Sequence, residues 1–339
     1  MPQLTKPLTL DDLPAPPPGK VGWPWIEQSE PVGDQMPDGS KYPRISIVTP
    51  SYNQGQFIEE TIRSVLSQGY PNLEYIVIDG GSTDNSIEVI RKYEPWLTYW
   101  ISECDQGQTD AIQKGFARTT GVIWNWLNSD DMLEPNALKI IARACQKNAP
   151  ATIFSGILTV FNATSAFQHP LGFHSLSDLV CVWEKWNVPQ PSMFLSSHAC
   201  RAIGGLHSSL QYAMDYDLYL RLAKRQNFQV EALDHPIARI RRHPASKTVS
   251  RAVLCKQEIL MVFDDFALAH SALLPKGWEK SRARFVYHLA LDAAEKQASL
   301  PAFLEISRPF LIAIWDYRFF WAMLFYYFRP KLKVSKASL

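Results

Sequence analysis

The chain lacks the features that define several large classes of protein. Its 339 residues include only five cysteines, and no two of them stand in a CxxC arrangement. An odd number of scattered cysteines favours reduced thiols over a disulfide framework or a zinc site. The formal net charge is only +1, so the chain has no global positive field for nucleic acid. No uncharged apolar run in the sequence reaches the roughly 18 residues of a membrane-spanning helix.

The composition that remains is that of a folded globular protein. Hydrophobic residues make up 46% of the chain and charged residues 20%. The length allows one large domain with an accessory part, or two domains. The first residues do not combine a basic region with an apolar run, so we expect no signal peptide and a cytoplasmic location.

The region from residue 1 to 43 is rich in proline and glycine, with Pro16-Pro17-Pro18-Gly19 at its centre. This composition predicts an extended arm without a core of its own. We expect Trp23-Pro24-Trp25-Ile26 to cover a hydrophobic patch of the main domain, because aromatic side chains tend to be buried.

Strand, polar loop and helix then alternate four times in about 100 residues. Predicted strands cover residues 44–50, 73–78, 97–101 and 121–127. This rhythm predicts βαβ units and a largely parallel sheet, whose right-handed crossovers bring the loops to one edge. The loops that should meet there are 49–53, 79–84, 105–108 and 128–131.

The second half of the chain is less regular. We predict strands at 152–161 and 166–169 that pair with each other, and a further strand at 190–195. An amphipathic helix should cover 215–225, and beyond residue 249 the chain should be helical. The other predicted elements are helices at 176–183 and 199–206 and two strands at 228–233 and 237–240.

The fourth predicted strand ends abruptly in Asn128-Ser129-Asp130-Asp131. Adjacent carboxylates repel unless a cation or a proton lies between them. Ligands of open α/β sheets bind at the carboxyl ends of strands. The stretch therefore predicts a site for a divalent metal and a nucleotide. A dehydrogenase is excluded, because no GxGxxG follows any predicted strand.

Five motifs, taken together and in order, resemble the family 2 glycosyltransferases, which have the GT-A fold. They are Thr49-Pro50-Ser51-Tyr52-Asn53, Asp79-Gly80-Gly81-Ser82-Thr83-Asp84, Asn128-Ser129-Asp130-Asp131, Met214-Asp215-Tyr216-Asp217 with Leu220-Arg221, and His243 with Ser246-Lys247-Thr248. The resemblance covers residues 44–248. It implies an α/β domain with a Rossmann-like, mixed and mainly parallel sheet flanked by helices. Residues 249–339 would form a helical C-terminal extension.

The resemblance also implies inverting transfer of a sugar from a nucleotide-sugar, with the base and ribose held by Thr49, Tyr52 and Asp79. An ionised carboxylate at Asp79 would accept from a uracil N–H, so a UDP-sugar is the favoured donor. An Asx turn or helix cap is the structural alternative for Asp79. The complete implied donor set is Thr49, Pro50, Tyr52, Asn53, Asp79, Asn128, Ser129 and Lys247.

The implied cofactor is Mg²⁺ or Mn²⁺, since both ions prefer hard oxygen ligands and can bridge a diphosphate. Asp130 is the best candidate ligand, Asp131 would orient it or bind directly, and His243 would lie near the metal. A plain surface cluster of basic residues is the alternative for His243. Asn128 stands where the family usually has an acid.

The resemblance assigns the general base to Asp215, because Met214 replaces the first acid of the usual pair. A base there would take the proton of the acceptor hydroxyl as it attacks. A helix N-cap is the alternative role for Asp215. Gln190 and Trp186 are expected near the acceptor, and a place in the core is the favoured alternative for Trp186.

The tail from 309 to 336 combines aromatic residues with basic flanks. Binding at a membrane interface, packing as a helix or homodimer contact, and a true membrane span are three alternatives. Interfacial binding would suit a lipid-linked acceptor and a peripheral position at the inner face of a membrane. A glycan is the other expected acceptor, and nucleic acid is not an expected partner.

Two further functions are alternatives to a glycosyltransferase. A non-catalytic module that binds a nucleotide-sugar or glycan would tolerate Asn128 and Met214. A sugar-phosphate nucleotidyltransferase would need a basic glycine-rich loop after the first strand, whereas Ser51-Tyr52-Asn53-Gln54-Gly55 has no Lys or Arg.

Overall fold

The computed structural model describes residues 7–162, 164–169, 172–181 and 188–297. The chain forms two compact units, Met1–Pro275 and Lys276–Leu339. In the second unit the described residues include one long helix, Trp278–Gln297. All the strands and candidate site residues discussed below belong to the first unit.

The described residues contain nine strands and ten α-helices. The strands are β1 (Ile45–Ser51), β2 (Leu73–Asp79), β3 (Tyr99–Ser102), β4 (Ile123–Trp126), β5 (Met132–Leu133), β6 (Ile153–Phe161), β7 (Ala166–His169), β8 (Met193–Ser196) and β9 (Val230–Arg241). The helices are α1 (Ile58–Leu66), α2 (Ser86–Tyr93), α3 (Gln108–Arg118), α4 (Ala137–Lys147), α5 (Leu176–Val180), α6 (Ser197–Arg201), α7 (Met214–Ala223), α8 (Lys247–Ser250), α9 (Ala252–Ala269) and α10 (Trp278–Gln297).

The first four strands form the parallel half of the sheet, in the order β3-β2-β1-β4. β1 and β2 are buried along their whole length, which explains their nearly continuous apolar sequences. The register aligns Ser51 with Asp79 and Asp79 with Ser102. The predicted convergence of these strand ends at one edge is therefore confirmed.

The second half of the chain extends the same sheet as β4-β8-β6-β9-β5, with antiparallel pairs among its contacts. The predicted pairing of 152–161 with 166–169 is confirmed by the β6–β7 ladder. The sheet is thus mixed and flanked by helices, as the predicted fold class requires.

The prediction of two strands at 228–233 and 237–240 was wrong, because β9 runs without interruption from Val230 to Arg241. Its ladder with β6 shifts register where Gly156 faces Leu233 and Ile157 faces Pro236. Proline has no N–H to donate, so an irregular stretch of ladder accommodates it inside a strand. Gly156 permits the close approach, since a Cβ there would lie 2.1 Å from Cγ1 of Ile237.

Three other predicted elements are shorter than expected. The strand predicted at 190–195 begins as a 3₁₀ turn, Gln190–Ser192, and is extended only in β8. Prolines at 189 and 191 explain this start, because their fixed φ and missing N–H oppose a ladder. The helices predicted at 176–183 and 199–206 are replaced by the single turns α5 and α6.

The N-terminal segment packs on the main domain through one buried arginine. Arg63 on α1 donates to the carbonyl oxygens of Pro14 (2.7 Å), Pro24 (3.2 Å) and Trp25 (2.9 Å), and to the hydroxyl of Tyr93 (3.2 Å). Trp25 is buried, as expected for the covering role, while Ile26 next to it is 57% exposed.

The alternatives for the C-terminal tail concern residues 309–336, which lie outside the described residues. Among the helices that the structure does describe, none combines the length and apolar character needed to cross a membrane.

Candidate active site

The loop after β1 contributes the first group of predicted donor residues. Thr49 and Pro50 are buried inside β1, and the hydroxyl of Thr49 lies 3.1 Å from that of Tyr75. Tyr52 is 60% exposed, so its ring is available to a ligand. Asn53 has a φ of 52°, and its side-chain oxygen accepts from the backbone N–H of Thr83 at 2.8 Å. The structure thus joins the first two strand-end loops.

Asp79 ends β2 and is fully buried. Its carboxylate accepts from the backbone N–H of Gly81 (3.1 Å), from both the N–H and the hydroxyl of Ser82 (2.9 and 2.6 Å), and from the hydroxyl of Ser102 (2.7 Å). These bonds order the turn that follows the strand. The turn-forming alternative therefore describes this conformation, and contact with a nucleobase stays a prediction.

Within the stretch from Asn128 to Asp131, which is the candidate metal motif, Asp131 is buried whereas Asp130 is partly exposed. Oδ1 accepts from the backbone N–H of Arg241 at 3.1 Å, and Oδ2 accepts from Nδ2 of Asn128 at 3.0 Å. Burial, and then the charge of Asp130, raise the pKa of the Asp131 carboxyl well above its usual range. Both oxygens already have protein partners, so the geometry suits an orienting role.

Asn128 connects this buried carboxyl to a basic side chain. Its Oδ1 accepts from Nε2 of Gln108 at 2.6 Å, and Oε1 of Gln108 accepts from Nζ of Lys247 at 2.8 Å. The amide of Asn128 therefore donates on one side and accepts on the other, which an aspartate could not do. This dual requirement gives a physical reason for Asn at a position where an acid was expected.

Asp130 and His243 form the candidate metal pair. Oδ2 of Asp130 lies 3.0 Å from Nε2 of His243, and both side chains are largely buried. Two ligands that each lie about 2.1 Å from one octahedral ion are about 3 Å apart, so the pair fits a shared cation. In the described part of the chain no cluster of three or more such side chains occurs, and phosphate oxygens and water would have to complete the coordination.

Arg241 supports this pair from behind. Its guanidinium donates to Glu60 at 2.6 Å and to the carbonyl oxygen of Asp130 at 3.2 Å. It also lies over the rings of Phe57 and Phe161, at 5.0 and 4.6 Å. Nε and Nη2 of the guanidinium are both bonded within this cluster, so Arg241 has a structural role in this conformation.

Asp215 lies in the first turn of α7, where its carboxylate accepts from the backbone N–H of Tyr216 at 2.7 Å. Burial raises the pKa of Asp215 to about 6, opposed by hydrogen bonds from the backbone. A carboxylate with that pKa is ionised at neutral pH and is still basic enough to accept a proton.

Lys247 lies between the metal motif and the segment that leads to α7. Besides its bond to Gln108, its ammonium lies 5.9 Å from the ring centroid of Tyr212. Burial lowers its pKa, while the charges of Asp105 and Asp130 are among those that oppose the shift. Lys247 is an exposed residue, and an ammonium in this place is suited to phosphate oxygens.

Three predicted site residues remain, namely Ser129, Gln190 and Trp186. Ser129 is buried within the motif. Gln190 is also buried, and its amide donates to Oδ1 of Asn125 (3.2 Å) and the carbonyl of Trp126 (2.8 Å). The structure thus places Gln190 in the 3₁₀ turn before β8, with its side chain bonded to β4. Trp186 lies outside the described residues.

Sequence reasoning did not give a role to Gln108, Glu60 or Glu258. The carboxylate of Glu258, on α9, accepts from the backbone of the segment that precedes α7. None of these residues belongs to a recognisable local pattern. Only the polar segment 105–108, already expected at the sheet edge, pointed to Gln108.

Comparison with known proteins identifies the family. The profile described as Glycosyl transferase family 2 matches residues 46–203. An uncharacterized glycosyltransferase of Mycobacterium tuberculosis is 30% identical over 184 residues, which are 53% of this chain and 69% of the relative.

Solved structures with little sequence identity share the fold. TarS of S. aureus gives a TM-score of 0.55 at 15% identity, over 81% of this chain and half of the TarS chain. TarS 1-349 in complex with UDP gives 0.50 at 14% identity, over 80% and 93%. The Pyrobaculum calidifontis mannosyltransferase PcManGT, in complex with GDP-Man and Mn²⁺, gives 0.52 at 18% identity, over 87% of each chain.

Proposed function

Because the chain belongs to the family 2 glycosyltransferases, we propose that it moves a sugar from a UDP-sugar to a hydroxyl of a glycan or lipid-linked acceptor, with inversion and Asp215 as general base. The observation that carries this proposal is the state of Asp215. It lies at the start of a helix, and burial holds its pKa at about 6.

The proposed reaction is a direct displacement. Asp215 takes the proton of the acceptor hydroxyl as the hydroxyl oxygen attacks the anomeric carbon of the donor sugar. The bond from that carbon to the diphosphate breaks as the new bond forms, so the configuration inverts. Only one base is needed, which agrees with Met214 in place of a second acid.

Asp130 and His243 are the residues that would hold a divalent metal, with Asp131 and Asn128 orienting the motif. When bound, such an ion would stabilise the charge on the leaving diphosphate. Lys247 would bind a phosphate oxygen beside the motif, since its ammonium donates to Gln108, which in turn donates to Asn128. Tyr52 is exposed where the nucleoside would lie.

The donor is the least constrained part of the proposal. TarS has been solved with UDP and PcManGT with GDP-Man, so both bases are compatible with this fold. We favour UDP because an ionised carboxylate at Asp79 can accept from the N–H of a uracil.

The test is to incubate the protein with UDP-, GDP- and dTDP-sugars plus Mn²⁺ and a panel of glycan acceptors, and to measure release of nucleoside diphosphate. We expect Asp130→Ala and Asp215→Asn to abolish release. Asp265→Asn, which changes an exposed carboxylate on α9, is the matched control and should leave it unchanged. Full activity of Asp215→Asn would refute the proposed base, and pyrophosphate as product would indicate a nucleotidyltransferase.

A further inference from the structure

Three consecutive backbone N–H groups converge on one carboxylate just before α7. Gln211, Tyr212 and Ala213 donate to Glu258, with shortest distances of 3.0, 2.5 and 2.7 Å. Glu258 lies on α9, 45 residues beyond Ala213 and outside the segment 46–203 that matches the family profile. Hydrogen bonds from N–H groups to an ionised acceptor are among the strongest in proteins.

This carboxylate holds the segment that leads into α7, and only the N–H of the N-cap residue Ala213 among its three donors belongs to the helix terminus. The first N–H groups of a helix have no partner inside it, and a side-chain oxygen at the N-cap normally accepts from them. The N-cap residue of α7 is Ala213, which has no such oxygen. Glu258 therefore holds the backbone at the entry of α7 from outside the helix, and Asp215 follows two residues after Ala213.

The same segment is held from the sheet side. The hydroxyl of Thr109 donates to the carbonyl of Leu210 at 2.5 Å, and the side-chain amide of Gln211 donates to the carbonyl of Gln106 at 3.2 Å. Both partners belong to the loop and helix that follow β3. The segment from 210 to 213 is thus fixed between the sheet edge and α9.

We propose that Glu258 is a positioning residue that fixes the first turn of α7, and with it the Asp215 carboxylate, relative to the sheet edge. The inference rests on the proposed role of Asp215 as the base. It assigns a part of the machinery to α9, a helix that the family motifs do not reach.

The charge of Glu258 adds an electrostatic effect to the geometric one. The titratable groups that interact with the charge of Asp215 are Tyr219, one turn further along α7, and Cys255 and Glu258 on α9. Burial is the main reason for the raised pKa of Asp215, and the negative charge of Glu258 raises it further. Lys247, on α8, is the cation that faces Glu258.

Two substitutions separate these effects. Glu258→Gln keeps one acceptor oxygen but removes the charge, so the pKa of Asp215 should fall. Because the base must be ionised, the acid limb of kcat against pH should move to lower pH than in the wild type. Glu258→Ala also releases the three N–H groups, and kcat should fall on the order of 10- to 100-fold with the donor KM unchanged.

Hydrogen exchange tests the clamp without any substrate. In Glu258→Ala the amides of Gln211, Tyr212 and Ala213 should exchange on the order of tenfold faster or more, because each loses a charge-assisted bond. Asp265→Asn, on the exposed face of the same helix, is the control for both experiments and should match the wild type.

The outcomes are distinct. Exchange of the three amides at the wild-type rate in Glu258→Ala would overturn the clamp, and so would an unchanged kcat in folded Glu258→Ala while Asp215→Asn is inactive. An unmoved acid limb in folded Glu258→Gln would refute the electrostatic effect. A fully active Asp215→Asn with the wild-type acid limb would instead refute the proposed function itself. A rise in donor KM with unchanged kcat in Glu258→Ala would also contradict positioning of the base.

Discussion

Replacement of Arg63 by methionine tests how strongly the N-terminal segment is tied to the domain. Arg63 is 1% exposed, and its guanidinium supplies four hydrogen bonds, three of them to carbonyl oxygens of Pro14, Pro24 and Trp25. It also lies 5.3 Å from the ring centroid of Trp25. Methionine fills a similar volume but can donate to none of these oxygens.

The magnitude follows from these contacts. A typical intramolecular hydrogen bond contributes about 1 kcal/mol net, so loss of four costs about 4 kcal/mol. Relief from burying a charge returns part of this. We therefore expect Arg63→Met to lower the free energy of unfolding by about 2–4 kcal/mol, unless the segment opens locally first.

Local opening has its own signature. If the segment detaches before the domain unfolds, cleavage by Lys-C at Lys20 and Lys41 should become faster under native conditions. Urea unfolding followed by circular dichroism gives the global stability. Arg118→Met is the matched control, since Arg118 is exposed and bonds only within its own helix turn and to the face of Tyr99. Stability within 0.5 kcal/mol of wild type, together with unchanged cleavage, would refute the anchoring role.

Three further predictions concern the motif and the sheet. His243→Ala should raise the Mn²⁺ concentration for half-maximal activity by on the order of tenfold or more, whereas an unchanged metal dependence would remove His243 from the metal site. Asn128→Asp should lower the free energy of unfolding, measured by urea titration in the presence of EDTA. The reason is that a carboxylate oxygen would replace the Nδ2 donor that lies 3.0 Å from Oδ2 of Asp131, so two acceptors would face each other. Stability equal to that of Asn128→Ala would contradict this repulsion. A raised carboxyl pKa makes the folded state bind more protons than the unfolded state, so this cost should grow as pH rises above about 4. Gly156→Ala should cost about 1–3 kcal/mol, since its Cβ would meet Ile237 at 2.1 Å, and wild-type thermal stability would show that the ladder relaxes.

The part of the fold that the sequence predicted is the part with strong local signals. β1 and β2 are apolar runs that stop at polar residues, and helices of matching period follow them. That pattern leaves one sensible topology, in which the loops after parallel strands meet at one edge. The prediction for β9 was wrong because a proline such as Pro236 usually ends a strand. Here Ile157 faces Pro236, and the neighbouring Gly156 leaves room for the ladder to continue through an irregular register.

Site residues, too, can be predicted from the sequence only where they belong to a local pattern. Asp130, His243 and Asp215 were predicted as site residues because each belongs to a short motif with a chemical reason for its residue type. Arg63 was not found, because an arginine inside an amphipathic helix normally faces solvent. Its burial depends on the carbonyl oxygens of a segment about 40 residues earlier, which no local pattern reveals.

A chain of contacts links that N-terminal segment to the candidate metal motif. The indole N–H of Trp25 donates to Glu60 at 3.3 Å, Glu60 accepts from Arg241 at 2.6 Å, and Arg241 donates to the carbonyl of Asp130. On the C-terminal side of the motifs, Glu258 holds the backbone that leads to Asp215. The two acids with proposed chemical roles are therefore oriented by segments on both sides of the region that carries the family motifs. Because backbone N–H and carbonyl groups can be bonded by many side chains, such supports need no fixed sequence, and only the folded structure identifies them.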